Sequence, residues 1–236
     1  MFPIRDDAPK STTPFVNYFL IALNTLVFLY EAWGLDARSR NVFVFQFGIV
    51  PANITGLVAG IPDASPAGAL LPIFTSMFLH GSWLHLIFNM WGLIIFGDNV
   101  EDHLGHFRYL LFYVLAGIAA GLVHILFNLY STIPSLGASG AIAGVMGAYF
   151  LLFPSARVLT LVPFFFFYFT WLPAWLVLGY WFVVQFLSGA ATAITPAQQT
   201  TGGIAFWAHV GGFLAGLGLI KLFPAQRRRW VYQPRY

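Results

Sequence analysis

The chain contains no cysteine and very little charge. With no Cys among its 236 residues, disulfide frameworks, thiolate metal sites and cysteine nucleophiles are excluded. Only 8% of the residues are charged and 59% are hydrophobic, whereas about 25% of an ordinary soluble domain is charged. A mean hydropathy of +0.78 means more apolar surface than a water-surrounded core can bury. A soluble globular protein is therefore excluded, and lipid is the predicted solvent.

Acidic residues are absent from the second half of the chain, because the last one in the sequence is Asp102. A Ser-His-Asp triad formed entirely within that half is therefore excluded. The formal charge of +3 does not predict nucleic-acid binding, because the basic residues flank apolar segments, as they do in membrane proteins. We expect no nucleic-acid partner.

Six apolar stretches approach the roughly 20 residues that a helix needs to cross a bilayer. They lie at residues 15–32, 73–96, 107–129, 137–153, 164–188 and 203–223. This pattern predicts an all-α membrane protein with six transmembrane helices in one domain, residues 15–223. The one long connection, about residues 34–72, is predicted to be the first outer loop. The fourth stretch is short and rich in Gly, which predicts a helix that begins below the membrane surface.

The distribution of Lys and Arg predicts the orientation, because cytoplasmic segments carry most of these residues. With the N-terminus inside, nine of the eleven basic residues are cytoplasmic, and only Arg38 and Arg40 lie outside. Both tails, residues 1–14 and 224–236, are then cytoplasmic. The basic C-terminal tail is expected to lie against anionic head groups.

Ser139 and His209 are polar residues within predicted membrane helices, where polar groups are costly and indicate function. A serine hydroxyl becomes a strong nucleophile when an adjacent base takes its proton, and an imidazole is the usual base. Each residue also has a simpler interpretation. Ser139 would then bond its own helix backbone, and His209 would bridge two helices.

Glycines accompany both residues at a spacing of four: Gly140 and Gly144 follow Ser139, and Gly212 and Gly216 follow His209. Such spacing lets two helices pack closely, so the fourth and sixth helices are predicted to bring Ser139 against His209. Because no acid follows Asp102, the pair is predicted to be a dyad. Either an aromatic ring or a backbone carbonyl would then orient the imidazole.

The second apolar stretch carries His80, His85 and Asn89. His85 and Asn89 are four residues apart and share a helix face. With the backbone N–H of Ser139 they would form three donors for an oxyanion. The alternative is that Asn89 caps a loop carbonyl and His85 is a buried core residue. His80 is interpreted as structural.

Together these motifs resemble the rhomboid family of intramembrane serine proteases over about residues 73–223. The matching residues are Gly137, Ala138, Ser139 and Gly140, then His209, Gly212 and Gly216, and finally His80, His85 and Asn89. The resemblance implies a six-helix bundle with a water-accessible cavity that opens outward. It also implies that Ser139 is the nucleophile, His209 the base, and His85 and Asn89 the oxyanion donors.

The resemblance further implies cleavage of transmembrane protein substrates near the outer membrane face, with no cofactor and no metal. We expect a multi-pass protein of a prokaryotic cell (inner) membrane. The family often has an aromatic residue four positions after the serine, to stack on the base, but Ala143 stands there. Substrate entry is hypothesised between the second helix and an aromatic-rich fifth helix that contains Pro173.

Two other functions are compatible with parts of this pattern. A non-catalytic rhomboid-like protein would bind membrane clients and would not need Ser139 or His209. A transporter that uses histidines is disfavoured, because the sequence has no internal repeat and no acid in its last four predicted spans.

Overall fold

The computed structural model describes residues 1–61, 64–164, 166–194 and 205–226, and this part of the chain is mostly helical. The helices of the first half are α1 Phe15–Leu29, α2 Ala37–Phe47, α3 Pro51–Val58, α4 Pro66–Thr75, α5 Trp83–Gly92 and α6 Asp98–Leu104. Those of the second half are α7 His106–Phe127, α8 Ser139–Leu152, α9 Ala174–Ile194 and α10 Phe206–Leu219. The strands are β1 Phe2–Asp6, β2 Arg157–Phe164 and β3 Phe166–Pro173.

Several of the described helices are apolar enough to cross a membrane. Three also have the length, namely Phe15–Gly34, His106–Phe127 and Ala174–Thr192. A fourth span results when the pair Pro66–Phe78 and Trp83–Leu104, bent by 74°, is counted as one. Ser139–Leu152 and Phe206–Leu222 are apolar but shorter.

The prediction of an all-α protein is wrong in one region, where β1, β2 and β3 form an antiparallel sheet in that order. Along β2, Val158 and Thr160 are buried while Leu159 and Leu161 are partly exposed. This alternation, in a segment rich in β-branched and aromatic residues, is typical of a strand. The predicted fifth span, residues 164–188, includes β3 and not the body of β2, because average hydropathy does not distinguish an apolar strand from an apolar helix.

The predicted fifth span, residues 164–188, is consequently misplaced at its start. Its helix begins at Ala174, and Pro173 ends β3 instead of lying inside a helix. The aromatic residues before Pro173 therefore belong to a hairpin, so they do not support a gate on the fifth helix. β1 packs beside α5, where Phe2 contacts the rings of Phe88 and Trp91.

The predicted outer loop, residues 34–72, contains three helical segments. Asp36 caps α2 by accepting a hydrogen bond of 2.7 Å from the Ser39 N–H, and Ser65 caps α4. Pro51 and Pro66 stand in the first turns of α3 and α4, where a missing N–H costs nothing. The predicted second span, residues 73–96, is also interrupted, and its helix restarts at Trp83 after a Ser82 cap.

The N-terminal residues, predicted to be a cytoplasmic tail, are packed against α6. Lys10 Nζ lies 2.6 Å from Asp98 Oδ2, and this hydrogen bond raises the pKa of the Lys10 ammonium. The backbone N–H and the hydroxyl of Thr12 both donate to Asp102. The acids of α6 therefore hold the segment that leads into α1.

Glu101 caps α1 from another helix. Its carboxylate accepts hydrogen bonds from the backbone N–H groups of Val16, at 2.9 Å, and Asn17, at 2.7 Å. Pro14, which precedes α1, provides no side-chain cap. The first turn of a helix has N–H groups without internal partners. The carboxylate of Glu101 therefore provides the hydrogen-bond acceptors for two of these N–H groups in α1.

We expect Glu101→Gln to lower the free energy of unfolding by about 1–3 kcal/mol. The amide retains one acceptor oxygen and places an NH₂ group opposite one of the two buried N–H donors, which loses its partner. Thermal unfolding in detergent measures the effect. Asp36→Asn is the control, since Asn caps a helix nearly as well as Asp and α2 is exposed there. Equal stability of Glu101→Gln and wild type would contradict the cap.

Helix α8 is buried over most of its length. Its residues 140–149 are all buried, and they are mainly Gly and Ala with a few larger side chains. Small side chains allow neighbouring backbones to approach α8 closely. Ser139, the first residue of α8, is partly buried.

Candidate active site

Ser139 and His209 are in hydrogen-bond contact. The Oγ atom of Ser139, the first residue of α8, lies 2.7 Å from Nε2 of His209 on α10. The His209 side chain is nearly buried, with 9% of the residue exposed. Two residues 70 positions apart therefore form a part-buried contact in a geometry that permits proton transfer.

The glycines of α8 and α10 make this contact possible. A Cβ atom added to Gly212 would overlap the carbonyl oxygen of Gly140, and one added to Gly216 would overlap that of Gly144. The two backbones therefore touch over two successive turns. Since Gly212 lies one turn after His209, this close approach also sets the distance from His209 to Ser139.

The other ring nitrogen of His209 contacts Gln185 of α9, with Nδ1 2.7 Å from Oε1. Neither orienting group expected from the sequence makes this contact. Trp181 is the aromatic residue near the ring, with the ring centroids 5.7 Å apart and the planes tilted by 36°. The sequence did not predict a role for Gln185, because a single glutamine has no partner at a recognisable spacing. An amide in an otherwise apolar helix was the available signal.

His85 and Asn89 lie beside the loop that leads to Ser139. Gly137 has a φ of +127°, which favours glycine, and a Cβ there would lie 2.6 Å from His85 Nε2. Asn89 is 6% exposed, and its Nδ2 has no hydrogen-bond partner among the described residues. A buried amide without a partner is costly, so this N–H₂ group is available to a ligand.

His80 is fully buried next to His85, with the ring centroids 5.1 Å apart. Within the described ranges, neither ring nitrogen of His80 has a hydrogen-bond partner. Its position behind His85 is compatible with the structural role expected for it. Glu31, at the end of the first apolar helix, is likewise fully buried and was not singled out from the sequence.

A cavity lies against Ser139 on the side of α7. It has space for about two water molecules. His124, interpreted from the sequence as a packing residue, forms part of the cavity wall, as do Ser135 and Ala208. Small residues of α7 also line the cavity: Gly117, Ala120 and Gly121.

Comparison with known proteins identifies the family. The model of the Rhomboid domain matches residues 67–225. The Rhomboid protease AarA of Providencia stuartii is 30% identical over 145 residues, which is 55% of this chain and 47% of that protein. Presenilin-associated rhomboid-like protein A, mitochondrial, of Danio rerio is 29% identical over 210 residues, 85% of this chain and 46% of that protein.

A third relative is RHOMBOID-like protein 6, mitochondrial, of Arabidopsis thaliana, 41% identical over 76 residues, which is 32% of this chain and 24% of that protein. The chain thus spans less than half the length of each of these relatives. The family model nevertheless covers most of the chain, including Ser139, His209, His85 and Asn89. The chain therefore belongs to the rhomboid family of membrane proteins.

Proposed function

We propose that this chain is an intramembrane serine endopeptidase, with Ser139 as nucleophile and His209 as general base. The observation that carries the proposal is the 2.7 Å contact between Ser139 Oγ and His209 Nε2. No acidic residue follows Asp102 in the sequence, so the two residues are proposed to act as a dyad. The relative AarA, a rhomboid protease, supports the same assignment.

In the first half of the reaction, Ser139 Oγ attacks the carbonyl carbon of the scissile peptide bond while His209 Nε2 takes the hydroxyl proton. The carbonyl oxygen gains the negative charge. The tetrahedral intermediate then collapses, the C–N bond breaks, and the protonated His209 gives its proton to the leaving amine. An acyl-enzyme on Ser139 remains.

The negative oxygen needs donors that are already in place. Asn89 Nδ2 is buried and lacks a partner among the described residues, and His85 lies beside Gly137. Ser139 opens α8, so its backbone N–H is one of the four that an α-helix leaves without an internal partner. We assign these three groups to the oxyanion site.

Water must then reach the acyl-enzyme, and the cavity beside Ser139 has room for it. His209 takes a proton from this water, the hydroxide oxygen bonds to the acyl carbon, and the proton returns to Ser139 Oγ as the ester breaks. The products are the free enzyme and a carboxylic acid, which ionises by losing its proton to water. The site needs no cofactor for any of these steps.

We further propose a six-helix arrangement in a domain of residues 15–223, with both termini on the same side of the membrane and transmembrane proteins as substrates. The helices that support it are the three long apolar helices, the bent pair, and the shorter α8 and α10. The basic tail expected against the membrane lies mainly outside the described residues, which end at 226. Two of the named relatives are described as mitochondrial, which conflicts with the expected prokaryotic inner membrane. We therefore propose an integral membrane location only.

A fluorophosphonate probe tests the nucleophile directly. Purified protein in detergent is treated with the probe, digested and mapped by mass spectrometry, and a parallel sample is incubated with a transmembrane substrate. We expect labelling at Ser139 and loss of cleavage after labelling, because the probe reacts only with an activated serine. Heat-denatured protein is the control. Absence of both labelling and cleavage would favour a non-catalytic client-binding protein.

A further inference from the structure

We propose that Gln185 is a positioning residue that fixes the ring and the tautomer of His209. This inference rests on the proposed protease function, in which His209 must accept the proton of Ser139. The observation behind it is the 2.7 Å contact between His209 Nδ1 and Gln185 Oε1, on the opposite side of the ring from the 2.7 Å contact with Ser139.

The two contacts together define one protonation pattern. A neutral imidazole has one N–H donor and one acceptor nitrogen. The carbonyl oxygen of Gln185 accepts the hydrogen of Nδ1, which leaves Nε2 without hydrogen and free to accept from Ser139 Oγ. In the other tautomer Nε2 carries the hydrogen and cannot act as the base. Gln185 thereby takes the orienting role that a carboxylate has in a Ser-His-Asp triad.

A neutral amide suits this location better than a carboxylate. His209 is nearly buried, and a permanent charge beside it would lose its hydration, which is costly. An amide oxygen orients the ring without that cost. Trp181, whose ring centroid is 5.7 Å away and tilted by 36°, provides apolar packing but no acceptor for Nδ1.

The hydrogen bond also connects the base to a third helix. Ser139 lies on α8, His209 on α10 and Gln185 on α9. α9 packs against α10 through Phe182 and Phe213, with ring centroids 4.9 Å apart, and through Gly189, which lies under Trp207. A displacement of α9 away from α10 therefore breaks the bond to Nδ1 and releases the ring.

Gln185→Met is the main test, because methionine has a similar length and apolar bulk but no strong acceptor. We expect kcat to fall about 10- to 100-fold, as when a histidine loses its orienting partner at other sites, while KM changes less than about twofold. Val183→Met is the matched control, since Val183 lies on the same helix with 51% exposure, and should leave both constants unchanged. Cleavage of a transmembrane substrate by the full chain in proteoliposomes measures both.

Gln185→Glu separates positioning from a merely structural role. Glutamate keeps an acceptor for Nδ1, so activity should exceed that of Gln185→Met at least tenfold. It also stabilises the protonated ring, so the acidic limb of the kcat/KM profile should move to higher pH. Equal kcat for Gln185→Met and wild type, or equal losses in Gln185→Met and Gln185→Glu, would overturn the inference. Failure of the proposed function is distinct, because wild-type protein would then neither cleave nor label.

Discussion

Replacing Ser139 by alanine should reduce peptide-bond cleavage by about 10⁴-fold or more, and replacing His209 by alanine should have an effect of similar size. The hydroxyl is the atom that bonds to the substrate, and without the imidazole at 2.7 Å nothing takes its proton. The double substitution should be no worse than either single one, because the two residues act as a unit. Single-turnover cleavage of a transmembrane substrate measures all three.

Ser188→Ala is the matched control for these variants. Ser188 lies on α9 and is partly exposed, so its hydroxyl has no part in the proposed chemistry and cleavage should persist at the wild-type rate. Binding of the substrate by Ser139→Ala should also persist, because the substitution removes only a hydroxyl group. Wild-type cleavage by Ser139→Ala would refute the protease proposal, and unimpaired client binding without any cleavage by wild type would favour a non-catalytic protein.

The residues brought together at the site differ in how far the sequence predicts them. Ser139 and His209 were found because polar groups are rare in apolar helices and because both stand in Gly-rich segments with a spacing of four. Gln185 was not found, because a single glutamine has no spacing partner and its role depends on how α9 is rotated against α10. That rotation is a property of tertiary packing, which periodicity in one segment does not specify.

The errors in the predicted fold also arise from tertiary packing. The apolar segment Phe166–Pro173 was predicted to be the start of the fifth span, yet it forms β3 of the sheet, in which β2 pairs with both β1 and β3. The partner strand, Phe2–Asp6, lies more than 150 residues away along the chain. Long-range pairing of this kind overrides local propensity. It also explains why Phe2–Asp6, within the predicted tail of residues 1–14, form a strand.

The close contact between α8 and α10 predicts a large loss of activity when Gly212 is replaced by alanine. In Gly212→Ala the new methyl group would overlap the carbonyl oxygen of Gly140, so the helices must separate. Overpacking of this kind costs about 1–3 kcal/mol of unfolding free energy. Because Gly212 lies one turn from His209, the separation also lengthens the distance to Ser139. A misplacement of about 1 Å can reduce catalysis about 100-fold, so activity should fall more steeply than stability.

Gly218→Ala distinguishes this steric effect from a general effect of alanine in α10. A Cβ atom at Gly218 meets nothing within 4 Å, and alanine favours a helix over glycine by about 0.5–1 kcal/mol. Thermal unfolding of Gly218→Ala should therefore occur at or slightly above the wild-type temperature, with unchanged cleavage. If Gly212→Ala and Gly218→Ala behaved alike, the two backbones would not be in contact at Gly140. The separation between Ser139 and His209 would then depend on something other than the glycines of the two helices.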